Sequence, residues 1–538
     1  MRSPHLSRAI SRLGALSRYA SLRLALSLLA LASVVLSTSV ARAGAGSLPF
    51  RGVPPLKLLQ TKAKYLVLIV LDGARPDYFN VTSLPHLDAL RAAGTQFTDA
   101  FSGILESETP AAHATISTGS APRRSGILGF SWAENDKNFS IFSPVVVRQG
   151  AMEQIMANAH APTIAGLYKA RYPSAVVVAM SGHKYYAADP LGGPQADVIE
   201  YFRGTLQNTY APTAIPGHVP PQQILDIPNL TVPLNKLAFG QDDSLVTQLD
   251  LDTFALLHQR ITLINYPDFD WPLGHVNGGN LDRPGVIALM QIFDRDLGLI
   301  EDAYKRAGIL KQTLFVVTAD HGMAPIYRFV PDSLFDNAVR AAGTTAPSIT
   351  HNTATYIWLQ DLAKGPAVAA NILKARDPGI QSVYYLAHTK TGVQYALAPG
   401  WKLLPRTDMA NQFLLRTLMN GHEPAVVAFC VKNASTSATS THWKGDHGGS
   451  TWGVQHVPLV LAGPGIKKGF VTANAAQLED IAPTVLVDMG VRPTGMEGKA
   501  MTEAFTDPYA ADVAKRQQEI MRVQPVVNAL VADDRGRK

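Results

Sequence analysis

Four short stretches of this 538-residue chain carry carboxylates or imidazoles, three of them directly after apolar runs. "VVTADHGM" carries Asp320 and His321. "VLDGARPD" carries Asp72, followed by glycine. "PDFDWPLGH" carries Asp268, Asp270 and His275, and "GDHGGS" carries His447 among glycines. Carboxylate and imidazole without thiolate is the donor set of a hydrolytic divalent cation, and glycine lets backbone approach such a site closely. One such pair alone could be a capping aspartate beside a structural histidine. Four of them suit a pair of cations about 4 Å apart, which clamp the attacking and leaving oxygens of an in-line phosphoryl displacement. A fifth stretch, "ILESETPAAHATISTG", holds Thr109. A free hydroxyl is a poor nucleophile near neutral pH unless a cation or base activates it. Otherwise Thr109 is a loop threonine that satisfies nearby backbone.

The elements that must position these residues read as an α/β fold. Continuous apolar runs such as "YLVLIVL", "ITLINY" and "TLFVVT" suit strands buried on both faces, as in parallel sheets. Between them, residues 85–94 and 284–308 carry apolar side chains at helical spacing. Alternating strands and helices predict a mainly parallel central sheet flanked by helices, with ligands beyond the carboxyl ends of the strands. The expected division is an export segment over 1–43, a catalytic core over 44–329 with a Pro-rich loop at 206–236, an inserted cap over 330–440, the rest of the core over 441–505, and a charged tail over 506–538 that frays or forms a surface helix.

The net charge of +6 does not point to a nucleic-acid partner. Residues 1–43 contain six arginines and no acid, so the rest of the chain is neutral. That segment runs from a basic start through "LALSLLALASVVL" to "ARA", the form of a cleavable export signal. The expected location is periplasmic or secreted, with no stable membrane span after signal removal and a small phosphate ester rather than a nucleic-acid polymer as partner. The single cysteine, Cys430, lies in an apolar run and reads as a core thiol.

In their order, "VLDGARPD", "TPAAHATISTG", "PDFDWPLGH", "TADHG", "GDHGGS" and "DIAPTVLVDMG" resemble the alkaline phosphatase superfamily, and most of all its type I phosphodiesterase/nucleotide pyrophosphatase branch. The resemblance spans roughly residues 62 to 502. It implies an alkaline-phosphatase-like fold and two divalent metals, expected to be zinc. It also implies that Thr109 is the nucleophile of a phospho-threonine intermediate. Asp72, Thr109, Asp320 and His321 would hold one metal; Asp270, His275 and His447 would hold the other. The family spacing is Asp-x-x-Gly-His, and "DWPLGH" is one residue longer, so Asp268 competes with Asp270. His456 competes with His447, and His113 would position the nucleophile loop.

Two departures bear on substrate. Phe130 stands where relatives often carry a phosphate-binding asparagine, so Phe130, with Trp132, could stack a base or aryl group or simply pack. Lys184 in "SGHKYYAAD" stands alone where monoesterase-like relatives carry a lysine and an arginine to hold phosphate charge. The lone Lys184 favours a diester, which has one less negative charge to neutralise. The implied function is a metal-dependent phosphodiesterase/nucleotide pyrophosphatase. The alternatives are an alkaline phosphomonoesterase and an inactive metal-holding binder. A sulfatase is excluded by the missing C/S-x-P-x-R motif, and a membrane-bound phosphoethanolamine transferase by the missing spanning helices.

Overall fold

The computed structural model describes residues 62–143, 151–390, 392–437 and 443–535. The expected export signal lies outside the described residues. Among them, no helix is long and apolar enough to cross a membrane.

The principal sheet has ten strands, numbered here in chain order: β1 (Tyr65–Leu71), β2 (Gly94–Phe97), β3 (Val177–Ser181), β4 (Val198–Gly204), β5 (Thr209–Ala214), β6 (Val232–Pro233), β7 (Ile261–Tyr266), β8 (Thr313–Thr318), β9 (Leu459–Ala462) and β10 (Phe470–Thr472). Their spatial order is β10-β2-β9-β8-β1-β7-β3-β4-β5-β6. The five strands β8, β1, β7, β3 and β4 run parallel. β9 is antiparallel to both of its neighbours, and β5 and β6 close the far edge antiparallel. The continuous apolar composition of β1 follows from its place. Leu66 through Leu71 are fully buried between two parallel partners.

Register brings the chemistry to one edge. Leu71 pairs with Tyr266, and Val70 pairs with Thr318. The chain therefore leaves β1, β7 and β8 at the same level, into Asp72, Asp268–Asp270 and Asp320–His321 respectively. β3 ends beside them and leads to Lys184. The helix Arg283–Arg306 begins where the Asp282 carboxylate accepts from Gly285 N–H, and it lays Val286, Leu289, Met290, Phe293 and Leu297 on the core.

Residues 330–440 contain a second, five-stranded antiparallel sheet. Its strands are Ser348–His351, Ala354–Trp358, Ile380–Thr389, Gly392–Leu397 and Val426–Cys430. Ile380–Thr389 and Gly392–Leu397 form the hairpin expected of "SVYYLAHTKTGVQYAL". One face packs on the helices Ser333–Ala341 and Gly365–Ala375. The other packs on Leu105, Leu128 and Trp132, the segment around the expected nucleophile. Cys430 is a buried free thiol.

Two segments differ from expectation. Residues 206–236 are not only loop, since they supply β5 and β6. Pro212 and Pro233 are tolerated because these are edge strands, where a missing N–H breaks little pairing. Of the two forms expected for the tail, the helical one is found, as the 26-residue helix Ala510–Arg535, but it is packed on the core and does not lie free on the surface. It buries Val523, Val526, Val527 and Leu530 against Phe101 and Ala410. Its Arg516 is buried against Asp480 at 3.0 Å and Glu503 at 2.9 Å. Two of the tail's charges, Arg516 and Glu519, are buried, while Lys515 and Arg522 face solvent.

Candidate active site: half-satisfied carboxylates around Thr109

Thr109 is the first residue of the helix Thr109–Thr118, with Pro110 next, a residue whose fixed φ suits a helix start. Its side chain is fully buried, yet Oγ1 has no hydrogen-bond partner. The first turn is pinned from below. His113 Nδ1 donates to Thr109 O at 2.7 Å, and its Nε2 accepts from Asn265 Nδ2 at 3.0 Å. The same Asn265 amide donates to Asp72 Oδ2 at 2.9 Å, while its own oxygen accepts from Ser181 at 2.7 Å. Burial pulls His113 below the ordinary histidine range, so it is neutral, as this pattern requires.

The three carboxylates expected to bind metal share one feature. Each has one oxygen hydrogen-bonded to protein, while the other is buried and makes no hydrogen bond. Asp72 Oδ2 is held by Asn265, and Oδ1 makes no hydrogen bond although the Lys184 ammonium lies 2.9 Å from it. Asp320 Oδ1 accepts from Gly73 N–H at 3.0 Å and His321 N–H at 2.9 Å, leaving Oδ2. Asp270 Oδ2 accepts from Lys184 at 2.6 Å, leaving Oδ1. The histidines complement them. Nδ1 of His275, His321 and His447 lies 2.9, 3.0 and 3.1 Å from the carbonyls of Gly445, Gly322 and Ser107. A carbonyl only accepts, so each Nδ1 carries the proton and each Nε2 is a free lone pair. Those Nε2 atoms face the carboxylates. His275 and His447 lie 3.4 and 3.7 Å from Asp270 Oδ1, and His321 lies 3.6 Å from Asp72 Oδ1 and 3.4 Å from Asp320 Oδ2.

A buried polar atom without a hydrogen bond is destabilising, and five side-chain atoms of the expected site are of this kind: Asp72 Oδ1, which faces the Lys184 ammonium, Thr109 Oγ1, Asp270 Oδ1, Asp320 Oδ2 and His321 Nε2. Divalent cations would supply the partner that they lack. Asp270, His321 and His447 form one candidate metal-holding group, and Asp72 and Asp320 belong to another with His113. The His321 and His447 rings stack at 3.6 Å, so the two halves are continuous. All seven residues expected as ligands therefore meet at one place. The glycines around them have work there. Gly73 is in a left-handed conformation, and a Cβ would sit 3.3 Å from Asp270 Cα; at Gly445 a Cβ would run into Gly274 O.

Electrostatics separate Asp268 from Asp270. Burial alone would raise Asp270, but Lys184 and three histidines outweigh it and hold it well below the carboxylate range. Asp268 turns away. It exchanges hydrogen bonds with Asp243, at 3.2 and 3.1 Å, and burial beside Asp242 pushes it up to about 8. His456 is also elsewhere, donating to Thr98 O at 2.8 Å and stacking on Trp452.

Lys184 differs from expectation. Rather than facing substrate, its ammonium is buried between Asp72 Oδ1 at 2.9 Å and Asp270 Oδ2 at 2.6 Å. Burial would lower its pKa, but the two carboxylates drive it well above the ordinary lysine value. Phe130 stacks on Phe142 at 5.1 Å and meets Tyr186 edge-on at 5.3 Å, and its N–H donates to Glu108, the residue before Thr109. Trp132 is buried and packs on Phe139, so it is core. Sequence reasoning missed Asn265 and Asp446. A polar residue inside the apolar run "ITLINY" was the available signal for Asn265. Asp446 Oδ1 accepts from His447 N–H at 2.9 Å and Oδ2 takes the hydroxyls of Ser435 and Ser437; it orients the histidine and, with His275 and His447, forms a third candidate metal-holding group.

Residues 66–400 match the family model of type I phosphodiesterase / nucleotide pyrophosphatase. The chain belongs to this family. Over 155 residues it is 29% identical to alkaline phosphatase PhoK of Sphingomonas sp, a stretch covering 27% of this chain and 28% of that relative. Among solved structures, alkaline phosphatase PafA superposes with a TM-score of 0.62 at 15% identity, over 82% of this chain and 99% of that one. Murine ectonucleotide pyrophosphatase / phosphodiesterase 5 in complex with AMP superposes with a TM-score of 0.56 at 15% identity, over 81% and 97%. These likenesses establish the alkaline-phosphatase-like fold expected from the sequence.

Proposed function

We propose that the protein is a metal-dependent phosphoric-ester hydrolase that prefers diesters and acts through Thr109. The observation that carries this is the Thr109 hydroxyl, buried without a hydrogen bond at the head of a helix whose first turn is tied through His113 and Asn265 to Asp72 and, through His113, lies beside Asp320. Two divalent cations, zinc by donor type, would lower the pKa of that hydroxyl and neutralise charge on the phosphoryl group. Thr109 Oγ attacks phosphorus, the bond from phosphorus to the leaving oxygen breaks, and the departing alkoxide takes up a proton. Water then cleaves the phospho-threonine, returning the hydroxyl and releasing a monoester. The helix begins at Thr109, so its positive end faces the anion throughout. His113 and Asn265 hold the nucleophile's turn in register with Asp72.

Lys184 supports the diester preference. It is committed to Asp72 and Asp270, so it is not a spare cation for the extra charge of a monoester. Phe130, Phe142 and Tyr186 add an aromatic cluster on the Glu108 side. The local identity to PhoK favours a second reading, an alkaline phosphomonoesterase. Export to the periplasm or medium belongs to the proposal and rests on the basic, apolar start of the chain; N-terminal sequencing of the secreted protein tests it.

The experiment is a pair of initial rates, on bis-p-nitrophenyl phosphate and p-nitrophenyl phosphate, for zinc-supplied wild type and Thr109→Ala. A diester preference lost in the variant is expected. A monoester preference lost in the variant selects the second reading. Full activity in Thr109→Ala contradicts both.

A further inference from the structure

The extra residue in "DWPLGH" has a structural outcome. The turn closes with His275 N–H donating to Asp270 O, five residues back, at 3.0 Å. Such widened turns recur at functional sites. Trp271 leaves the helical conformation there, with φ −134° and ψ 114°, and stands 41% exposed beside its ligand neighbour Asp270. Trp443, half-buried, lies 4.2 Å from the His275 ring. The two indoles are 6.2 Å apart at 71°, one giving a face and the other an edge. Neither belongs to any apolar cluster of the described residues. Two large aromatics at a site mouth that pack no core are placed for a ligand.

Their side of the site says which part of the ligand. The first turn at Thr109 is tied through His113 and Asn265 to Asp72, and His113 lies 3.5 Å from Asp320. In-line displacement puts the leaving oxygen opposite the nucleophile, which is the Asp270–His275–His447 side. We propose that Trp271 and Trp443 form a leaving-group subsite that selects a planar aromatic leaving group, such as an aryl or nucleobase-bearing alcohol. This rests on the reading of Thr109 as nucleophile.

The test uses methyl 3-chlorophenyl phosphate and methyl hexafluoroisopropyl phosphate, whose leaving groups are of similar acidity, with zinc-supplied wild type, Trp443→Leu, Trp443→Phe and Trp271→Leu. Stacking on an aromatic side chain predicts that each leucine variant loses about tenfold in kcat/KM on the aryl ester. On the fluoroalkyl ester the change stays within about twofold, and Trp443→Phe keeps most of the aryl preference. Equal loss on both esters, the mark of a ring that only steadies His275, overturns the subsite, as does no loss on either. If Trp443→Leu fails to fold or to hold metal, Trp271→Leu, whose ring is exposed, decides by the same criterion. Thr109→Ala separates the two levels: activity surviving in it sinks the nucleophile itself, while activity lost in it with no aryl-selective tryptophan effect sinks only the subsite.

Discussion

Asp268 and Asp270 are two residues apart, both buried, and opposite in character. Asp270 faces Lys184 and three histidines, is held ionised, and keeps one oxygen without a partner. Asp268 faces Asp242 and Asp243, accepts a backbone N–H, and is pushed up towards the neutral acid. Spacing in the sequence makes either one a ligand. What separates them is whether the fold brings cations or carboxylates to meet the side chain. A buried anion is tolerated only when compensated, and the metal-binding edge of the sheet is where the chain supplies that compensation.

The comparison breaks most directly by exchanging the two residues' chemistry. Asp270→Asn should lower the metal content of the zinc-loaded protein from two per chain to one and reduce kcat/KM by roughly a hundredfold or more, since a cation supplies several kcal/mol at the transition state. Asp268→Asn should keep both metals and stay within about threefold in rate. Equal behaviour of the two variants in elemental analysis and initial rates would remove the distinction.

Lys184 sharpens it. In the metal-free protein it is the fixed cation shared by Asp72 and Asp270. Lys184→Met leaves both carboxylates buried and uncompensated, which should destabilise the chelator-treated protein by about 3–5 kcal/mol. Zinc should restore much of that loss, because the cations take over the compensation. Denaturant unfolding with and without zinc measures both quantities. An unchanged midpoint in the metal-free variant would mean that the ammonium is not the compensating charge.

The site was partly legible because strand ends announce themselves. Asp72, Asp320 and His321 follow apolar runs that can only be buried strands, and parallel topology carries their ends to one edge. The choice between Asp268 and Asp270 was not legible, because one extra residue in the turn is absorbed by backbone geometry that spacing does not reveal. Lys184 was misjudged for a related reason: a sequence does not show that an ammonium turns inward to two acids. Asn265 sat inside an apolar strand, where its amide reads as an exception until its three partners are seen. The segment 206–236 was misread because proline speaks for loop only when edge pairing is left out; the tail is the helix that was one of its two expected forms, but sequence did not show that Arg516 and an apolar stripe would be buried.

The smallest effect concerns a buried carboxylate with no cation near it. Asp250 accepts from Gln259 at 3.2 Å, has a second oxygen unpartnered, and is pushed up to about 7 by burial. Its folded pKa lies above its unfolded value, so its contribution is full below the unfolded pKa and is lost as pH rises through the folded one. Asp250→Asn should match wild type near pH 4 and exceed it at pH 8, by no more than the limit of about 4 kcal/mol that this rise in pKa sets, read from urea unfolding at the two pH values. A gap that is constant with pH would place the ionised form on equal terms in the folded and unfolded states.

The central claim, two displacements through Thr109, is tested most directly at phosphorus. The Rp phosphorothioate of thymidine 5′-(4-nitrophenyl) phosphate, hydrolysed by the zinc-supplied enzyme in oxygen-18 water, reports the stereochemistry. Each in-line displacement inverts the centre, so attack by Thr109 followed by water gives net retention. Retention is the result predicted here. Net inversion would mean that water attacks the substrate directly, and that Thr109 is not the nucleophile.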